Sequence, residues 1–346
     1  DLLRAYAESR LGDVVAIDGF TYSPSQPYVV QMQAALQQQV GQSTVLSVAY
    51  AGGRGVKLPG VVGNINRPVP RFDQSGRVFH AADAPPLNPA ISRLGMRFTE
   101  FNSFSHSLQT SASRRLAAGV RAQLNYTFAK AIDEISAAVF NDFIASDLMP
   151  VYSYRDNHGP ADFDVRHVLT VNASWQAHSR ASGALRHVLN GWEMHGLLRM
   201  QSGFAFSPRT GFDRARIGAG SDLAQRPDFV GTPGADLILG DPQAWYDATA
   251  FALPAAGYYG NAGRNILRGP SLQSLDVALH KVIWTTERQR LTLRIEGFNI
   301  TNHPNFQLPS GLAVFNSTGR PLTSAGRITA TATPSRQVQL ALRYAF

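Results

Sequence analysis

The stretch that decides the fold is SRQVQLALRYAF, residues 335–346. From Val338 to Phe346, apolar or aromatic side chains alternate with polar or small ones, which is the period of two of a β-strand with one apolar face. A helix would repeat its apolar positions every three or four residues instead. A second stretch, VRAQLNYTF at 120–128, alternates in the same way. Both runs predict long strands with two chemically different faces.

The same alternation recurs elsewhere, so the sequence predicts nine strands in all. The other seven runs are 30–37, 46–50, 108–113, 169–175, 192–201, 275–280 and 291–296. Single-chain bacterial barrels have even strand numbers, so an odd count predicts that these strands belong to a larger sheet.

The links between the predicted strands have two lengths, which alternate along the chain. The short links lie near 41–44, 116–119, 179–190 and 285–289. The long links lie at about 52–100, 131–163, 203–271 and 301–334. All short turns therefore share one edge of an antiparallel sheet, and all long loops share the other. This sorting is typical of a transmembrane β-barrel with short periplasmic turns and long extracellular loops.

Composition narrows the class of protein further. No stretch approaches the ~20 apolar residues of a membrane-spanning helix, which excludes a helical membrane protein. The chain contains 0 cysteines, so disulfides and thiolate metal sites are excluded. The net charge is +8, but the basic residues are scattered singly and form no Lys/Arg run, so we predict no nucleic-acid partner.

The charged side chains of the polar faces are predicted to point into a lumen, because an Arg at the lipid midplane costs about 2–4 kcal/mol. These residues are Arg121, Glu193, His195, Arg199, Asp276, Arg294, Glu296 and Arg343. Either they pair with each other and with parts of the protein outside these strands, or some of them line a ligand path, and we favour pairing. Aromatic residues near the strand ends are predicted to lie at the lipid–water interfaces. They are Tyr50, Tyr126, Phe128, Trp175, Trp192, Tyr344 and Phe346.

The sequence predicts no catalytic site, metal site or cofactor. Asp162, Asp164 and His167 have the spacing of metal ligands, but on a strand Asp164 and His167 face opposite sides. No GxSxG nucleophile elbow occurs, so we do not expect an enzyme.

Several motifs occur in order from about Pro27 and carry a family resemblance. They are STVLSVAYAGGRGVKL (43–58), LNYTFAKAID (124–133), ADFDVRHVLTVNASW (161–175), GWEMHGLLRMQSGFAF (191–206), WYDATAFALP (245–254), YGNAGRNILRGP (259–270), FNITNHPNF (298–306) and the terminal strand. With these motifs the chain resembles the C-terminal barrel half of Oar-like TonB-dependent outer-membrane receptors, which have a carboxypeptidase-regulatory-like N-terminal domain.

This resemblance implies an all-β, antiparallel transmembrane β-barrel of 22 strands in the bacterial outer membrane, to which residues 28–346 contribute about nine. Residues 1–27 are then an extracellular loop or linker. The implied partners are outer-membrane lipid, the remaining barrel strands, an N-terminal plug, TonB, and the barrel assembly machinery, which would read Phe346 as a signal. The plug and TonB box have no counterpart in these residues.

The implied function is TonB-dependent uptake of a bulky ligand such as a metal chelate, an oligosaccharide or a peptide. Loops on a rigid scaffold usually carry recognition, so we expect ligand contacts in 52–100 and 203–271, including Trp245, Tyr258 and Tyr259. Two alternatives remain, an extracellular β-rich binding or adhesive protein and a passive porin-like channel.

Overall fold

The computed structural model describes residues 15–116, 119–136, 157–218, 225–286 and 289–346. The strands of the first half are β1 Val15–Phe20, β2 Tyr28–Val40, β3 Thr44–Val62, β4 Arg71–Phe72, β5 Val78–Phe79, β6 Ile91–Arg115, β7 Val120–Asp133, β8 Gly159–Pro160, β9 His167–Gln176 and β10 Trp192–Gln201. The remaining strands are β11 Ala205–Phe206, β12 Asp228–Phe229, β13 Ile238–Asp241, β14 Ala244–Tyr246, β15 Phe251–Ala252, β16 Leu267–Arg268, β17 Leu272–Thr285, β18 Arg290–Phe298 and β19 Gln337–Ala345. Helix α1 spans Ala184–Leu189, and a 3-10 turn spans Ala248–Ala250.

Nine long strands form the main sheet, in the order β2, β3, β6, β7, β9, β10, β17, β18 and β19. Each of them pairs antiparallel with the next one along the chain. The prediction of nine antiparallel strands is therefore confirmed. Two additions are β1, which pairs in parallel with β6, and β8, which pairs with β7. Strands β2 and β19 form the two edges, so the sheet described is open.

The links sort by length as predicted. The short links between strands are 41–43, 116–119, 177–191 and 286–289. The long links are 63–90, 134–166, 202–271 and 299–336. The first short turn depends on Gly41, whose φ of 63° lies in the left-handed region that favours glycine.

Two strands run further than the sequence pattern indicates. Strand β3 has 19 residues and β6 has 25, so the first long loop is shorter than the predicted 52–100. Beyond Ala51 the apolar alternation of β3 gives way to glycines and Pro59, although the backbone stays paired with β6 through register shifts between Gly55 and Pro59. A strand that continues past the lipid needs no apolar face, so the pattern ends before the strand does.

The pairing register gives the main sheet an apolar face and a polar face. One continuous row on the apolar face consists of Ala112, Leu124, Val171, Leu198 and Leu275. The neighbouring row on the polar face consists of Ser111, Asn125, Thr170, Arg199 and Ser274. Because successive side chains point to opposite sides, every strand in these rows contributes to both faces.

The largest buried core lies in the long loops, and a smaller one joins Val62 of β3 and Phe101 of β6 to Ile135. On the apolar face, Leu36 is 71% exposed and Leu340 is 73% exposed. The largest cluster of buried apolar side chains lies at the long-loop edge and consists of Phe206, Tyr246, Ala250, Phe251, Ala262, Leu267, Val314 and Phe315. A sheet that folds in water buries its apolar face against a second layer. This sheet instead presents that face outward.

Small two-stranded units organise the loop cluster. Strand β11 pairs with β16, β12 with β15 and β13 with β14, which brings distant parts of 202–271 together. Among the residues described, no helix is both long enough and apolar enough to cross a membrane.

The two faces predict opposite responses to a new charge at mid-strand. Leu124 lies on the apolar face and Gln123 on the polar face of the same strand. We expect Leu124→Arg to lower the free energy of unfolding by about 2–4 kcal/mol, because this arginine would face lipid. Urea unfolding in lipid vesicles measures the loss. Gln123→Arg is the matched control and should change stability little. Equal losses in the two variants would contradict the assignment of the faces.

Candidate functional site

The register places all eight charged residues predicted for the lumen on the polar face. The structure brings part of this set together near the short-turn edge. Glu193 of β10 lies directly opposite His280 of β17, and Glu296 of β18 lies opposite Ala278. Arg121, Arg199 and Arg343 lie apart from this group, opposite Ser174, Thr170 and Thr292.

Hydrogen bonds and ion pairs connect the clustered side chains. The Arg294 guanidinium donates from Nη2 to Glu296 Oε1 at 2.8 Å and from Nε to His280 Nε2 at 3.3 Å. His195 Nε2 lies 3.9 Å from Glu193 Oε2, and the rings of His195 and His280 are 5.3 Å apart between centroids. The predicted set of lumen residues omits His280. Because His280 follows Asp276 by four residues on the same strand, alternation alone places both side chains on one face.

Two further members of the predicted set, Asp276 and Arg199, have local partners. Asp276 Oδ1 accepts a hydrogen bond from the Ser274 hydroxyl at 3.0 Å and one from the Asn299 backbone N–H at 2.8 Å. Arg199 donates to Gln201 Oε1 at 2.8 Å. Several of these charged side chains therefore pair with neighbours on the polar face.

A recess of about 710 Å³ lies against this face at the short-turn edge. Its lining includes Arg115, Arg121, Asn172, His195, Asp276 and Glu296. The recess therefore combines carboxylates, guanidinium groups and an imidazole on one surface.

The predicted interface aromatics lie on the apolar face at two heights. Trp175 pairs with Val120 near the short turns, and Phe128 lies eight residues further along β7. At about 3.4 Å per residue this separation is about 27 Å along the strand, or about 20 Å along the membrane normal at a tilt of ~40°. The lower group comprises Trp175, Trp192, Tyr344 and Phe346, and the upper group comprises Tyr50, Tyr126 and Phe128. The spacing fits two girdles around an apolar band.

Two tyrosine–histidine pairs reinforce the upper group. The Tyr50 hydroxyl lies 2.6 Å from His106 Nδ1, and the Tyr126 hydroxyl lies 2.8 Å from His167 Nδ1. The rings of each pair are stacked. Each pair has an apolar ring surface and polar atoms, which suits the headgroup layer. The alternation of the strands places both histidines on the apolar face, but only the register shows that each one meets a tyrosine.

The structure does not bring Asp164 and His167 together. The Asp164 carboxylate accepts a hydrogen bond from the Ala131 backbone N–H at 2.6 Å and pairs with the Arg268 guanidinium. His167 lies on the apolar face against Tyr126. Asp164 thus connects strand β7 to the loop that carries Arg268.

A second buried ion pair joins the end of β7 to the longest loop. The Arg264 guanidinium pairs with Asp133, and only 1% and 3% of these side chains are exposed. Arg264 also donates to the Pro160 carbonyl at 3.1 Å, and Ser136 donates to Asp133 Oδ2 at 2.7 Å. Burial lowers the pKa of Arg264 to about 10, which leaves the guanidinium charged at neutral pH.

Further hydrogen bonds extend this junction. Asn265 donates from Nδ2 to Asp162 Oδ1 at 2.6 Å, and burial raises the pKa of Asp162. The hydroxyl of Ser207 donates to Asn265 Oδ1 at 3.0 Å, and the Asn265 backbone N–H donates to the same hydroxyl oxygen at 2.9 Å. The long loops are thus fixed to the sheet by a polar network with little contact with water.

The three aromatic residues predicted to contact ligand are half-buried and join loops to one another. Trp245 donates from Nε1 to the Arg268 carbonyl at 2.7 Å. The Tyr258 hydroxyl donates to Asp73 at 3.1 Å, while the Arg77 guanidinium lies 4.8 Å from the centre of the same ring. Tyr259 meets the buried His80 ring edge-on, and its carbonyl accepts a hydrogen bond from Arg77.

An outward apolar face, a charged inner face and loops sorted by length define a membrane β-barrel. The family described as outer membrane beta barrel domain matches residues 9–339, and the chain belongs to this family. The fold is therefore that of an antiparallel β-barrel domain of the bacterial outer membrane, as predicted. None of the curated proteins matches the sequence.

Two solved structures share a low similarity with this chain. The outer membrane transporter YddB from Escherichia coli is 11% identical with a TM-score of 0.45, and the alignment covers 92% of this chain and 32% of YddB. The FrpB iron transporter from Neisseria meningitidis is 10% identical with a TM-score of 0.45, and the alignment covers 95% of this chain and 33% of FrpB. The chain thus spans about a third of the length of either transporter.

The buried ion pair predicts a large and local loss of stability on substitution. Arg264→Met leaves the buried Asp133 carboxylate without its guanidinium, and we expect a cost of about 3–5 kcal/mol. Hydrogen exchange of the backbone at 157–166 and 262–268 measures the free energy of opening at this junction. The control is Arg320→Met in an exposed part of the last long loop, where we expect little change. Similar protection in both variants would show that the pair does not stabilise the loops.

Proposed function

We propose that this chain is the C-terminal part of a TonB-dependent receptor that takes up a bulky ligand, such as a metal chelate, an oligosaccharide or a peptide. The observation that carries the proposal is the folded layer of long loops at one edge of a charged polar face. This layer has its own apolar core and is anchored by the buried pairs Asp133–Arg264 and Asp164–Arg268. A preformed outer surface suits a receptor that binds its ligand before passage.

The two open edges of the sheet favour the presence of further strands, which would complete the barrel. Val40 and Leu340 lie on strands with one neighbour each, and both side chains are more than half exposed. Lipid cannot supply hydrogen bonds to the unpaired backbone groups of an edge strand. In the proposed receptor the strands upstream of β2 complete a barrel of 22, and a plug lies against the polar face. TonB engages a segment that precedes the plug.

Ligand recognition is proposed for the loop layer around Tyr258 and Tyr259. Both rings are half-buried and lie where 63–90 meets 202–271, next to the Arg77 guanidinium. Aromatic faces beside a cation offer stacking and charge to a sugar, a peptide or an anionic chelate. Trp245, the third aromatic residue of the proposed set, is held in the same layer of loops by its hydrogen bond to the Arg268 carbonyl.

The alternatives make different demands on the sheet. An adhesive extracellular protein would bury the apolar face against a second sheet, whereas Leu36 and Leu340 on this face are exposed. A passive channel would use the same polar face without energy coupling. Catalysis is not part of the proposal, which assigns the polar face and the loop layer to transport.

The dependence on TonB gives the first test of this proposal. Cells that need the natural full-length protein for growth on a supplied iron chelate, oligosaccharide or peptide should stop growing when TonB is deleted. Leakage of a small chromogenic antibiotic should be unchanged by the protein, since the plug closes the barrel. Growth that persists without TonB, together with faster leakage and ion conductance in planar bilayers, would instead support the passive channel.

A second test concerns Phe346, which is 94% exposed and stacks on Tyr344 with 5.8 Å between ring centres. We propose that this residue is the signal for the assembly machinery, so its removal should sharply lower the amount of folded protein in the outer membrane. Tyr344→Ala is the control, because it removes an aromatic ring from the same face. We expect it to assemble normally and to lose about 1–3 kcal/mol of stability. Normal yield without Phe346, with only lowered stability, would leave an anchoring role.

A further inference from the structure

We propose that strands β10 and β17 hold a divalent transition-metal ion between Glu193, His195 and His280. Glu193 and His280 are directly opposite one another in the pairing of these strands, and His195 follows Glu193 by two residues on the same face. One ligand atom from each side chain lies within 4.8 Å of those from the other two. This is the group with metal-ligand spacing among the residues that the structure describes.

The donor set suits a particular class of metal. Two imidazoles and a carboxylate are ligands of zinc and of neighbouring first-row divalent ions, and three protein ligands leave a position open. Bonds of about 2.0–2.1 Å in a tetrahedral site place ligand atoms about 3.3 Å apart. Rotation of the side chains can shorten the present separation of up to 4.8 Å to this distance, because the paired backbones hold all three residues on one surface.

Neighbouring side chains orient two of the ligands. Gln176 donates from Nε2 to Glu193 Oε1 at 3.2 Å, and Glu193 Oε2 faces His195 Nε2 at 3.9 Å. His280 Nε2 accepts the Nε–H of Arg294, so this nitrogen presents a lone pair. Gln176, which holds the Glu193 carboxylate through one oxygen, is a partner of the kind that orients a metal ligand.

Arg294 also competes with the ion. Its Nε–H occupies the lone pair of His280 Nε2 that a metal would use, and its positive charge opposes a cation nearby. Glu296 holds this guanidinium at 2.8 Å, and its own Oε1 lies 3.8 Å from His280 Nε2. Removing the guanidinium should therefore free a nitrogen and leave a second carboxylate beside the site.

The site is open to water on the polar face. The His195 side chain is 48% exposed and the Glu193 side chain is 37% exposed, so an ion can reach both ligands without unfolding the sheet. Metal binding here requires neither TonB nor the ligand of the loop layer. Success or failure of this inference is consequently independent of the proposed uptake function.

Zinc titration of the natural full-length protein tests the inference. Untagged protein in detergent is freed of metal with a chelator and titrated calorimetrically with ZnCl₂, and we expect one ion per chain. His195→Asn and His280→Asn should each weaken binding by at least about tenfold, since even indirect partners of a metal are worth 10–100-fold. His106→Asn, the same change on the apolar face, is the matched control and should bind zinc as the wild type does.

Arg294→Gln is a further variant for the same titration. We expect it to bind zinc more tightly than the wild type, because the guanidinium no longer competes for His280 Nε2. X-ray absorption at the zinc edge needs no variant and should show two imidazole ligands. The absence of saturable binding in the wild type would overturn the inference. Equal weakening in His106→Asn, or a wild-type spectrum without imidazole, would overturn it as well.

Discussion

The structure depends on one constraint, which is that lipid offers no hydrogen-bond partner to a peptide group. An antiparallel sheet meets this constraint because every interior strand gives its N–H and C=O groups to two neighbours. The nine strands of the main sheet follow one another in chain order, so each pair is closed by a single turn or loop. The same constraint explains why apolar side chains predominate on the outward face, since a charge among the lipid tails would have to leave water.

Apolar side chains are consequently buried in the opposite places from those in a water-soluble sheet protein. The apolar side chains of the strands face outward, whereas the long loops contain the packed core around Tyr246 and Leu267. Loops outside the membrane fold in water and need a core of their own. The longest loop is attached to the barrel by polar contacts, in which the buried carboxylates Asp133 and Asp164 each hold one of its arginines. Loops fixed in this way form a surface whose shape is set before a ligand arrives.

The polar face combines charges from strands that are distant in the sequence. The proposed metal site needs β10 for Glu193 and His195 and needs β17 for His280, and the long loop 202–271 separates these strands. A one-residue shift in their pairing would send His280 to the apolar face. The register that satisfies the backbone in lipid therefore also decides which charged groups meet.

The sequence by itself determined the number of strands, their two faces and the edge on which each loop lies. These features can be read from the sequence as an alternation with a period of two and as a pattern of loop lengths, because lipid imposes the same demand on every strand. Only the tertiary structure decided the length of β3 and β6 beyond the lipid, the packing of Trp245 and Tyr258 between loops, and the meeting of Glu193 with His280. These features depend on register and on loop packing in water, and neither leaves a periodic pattern in the sequence.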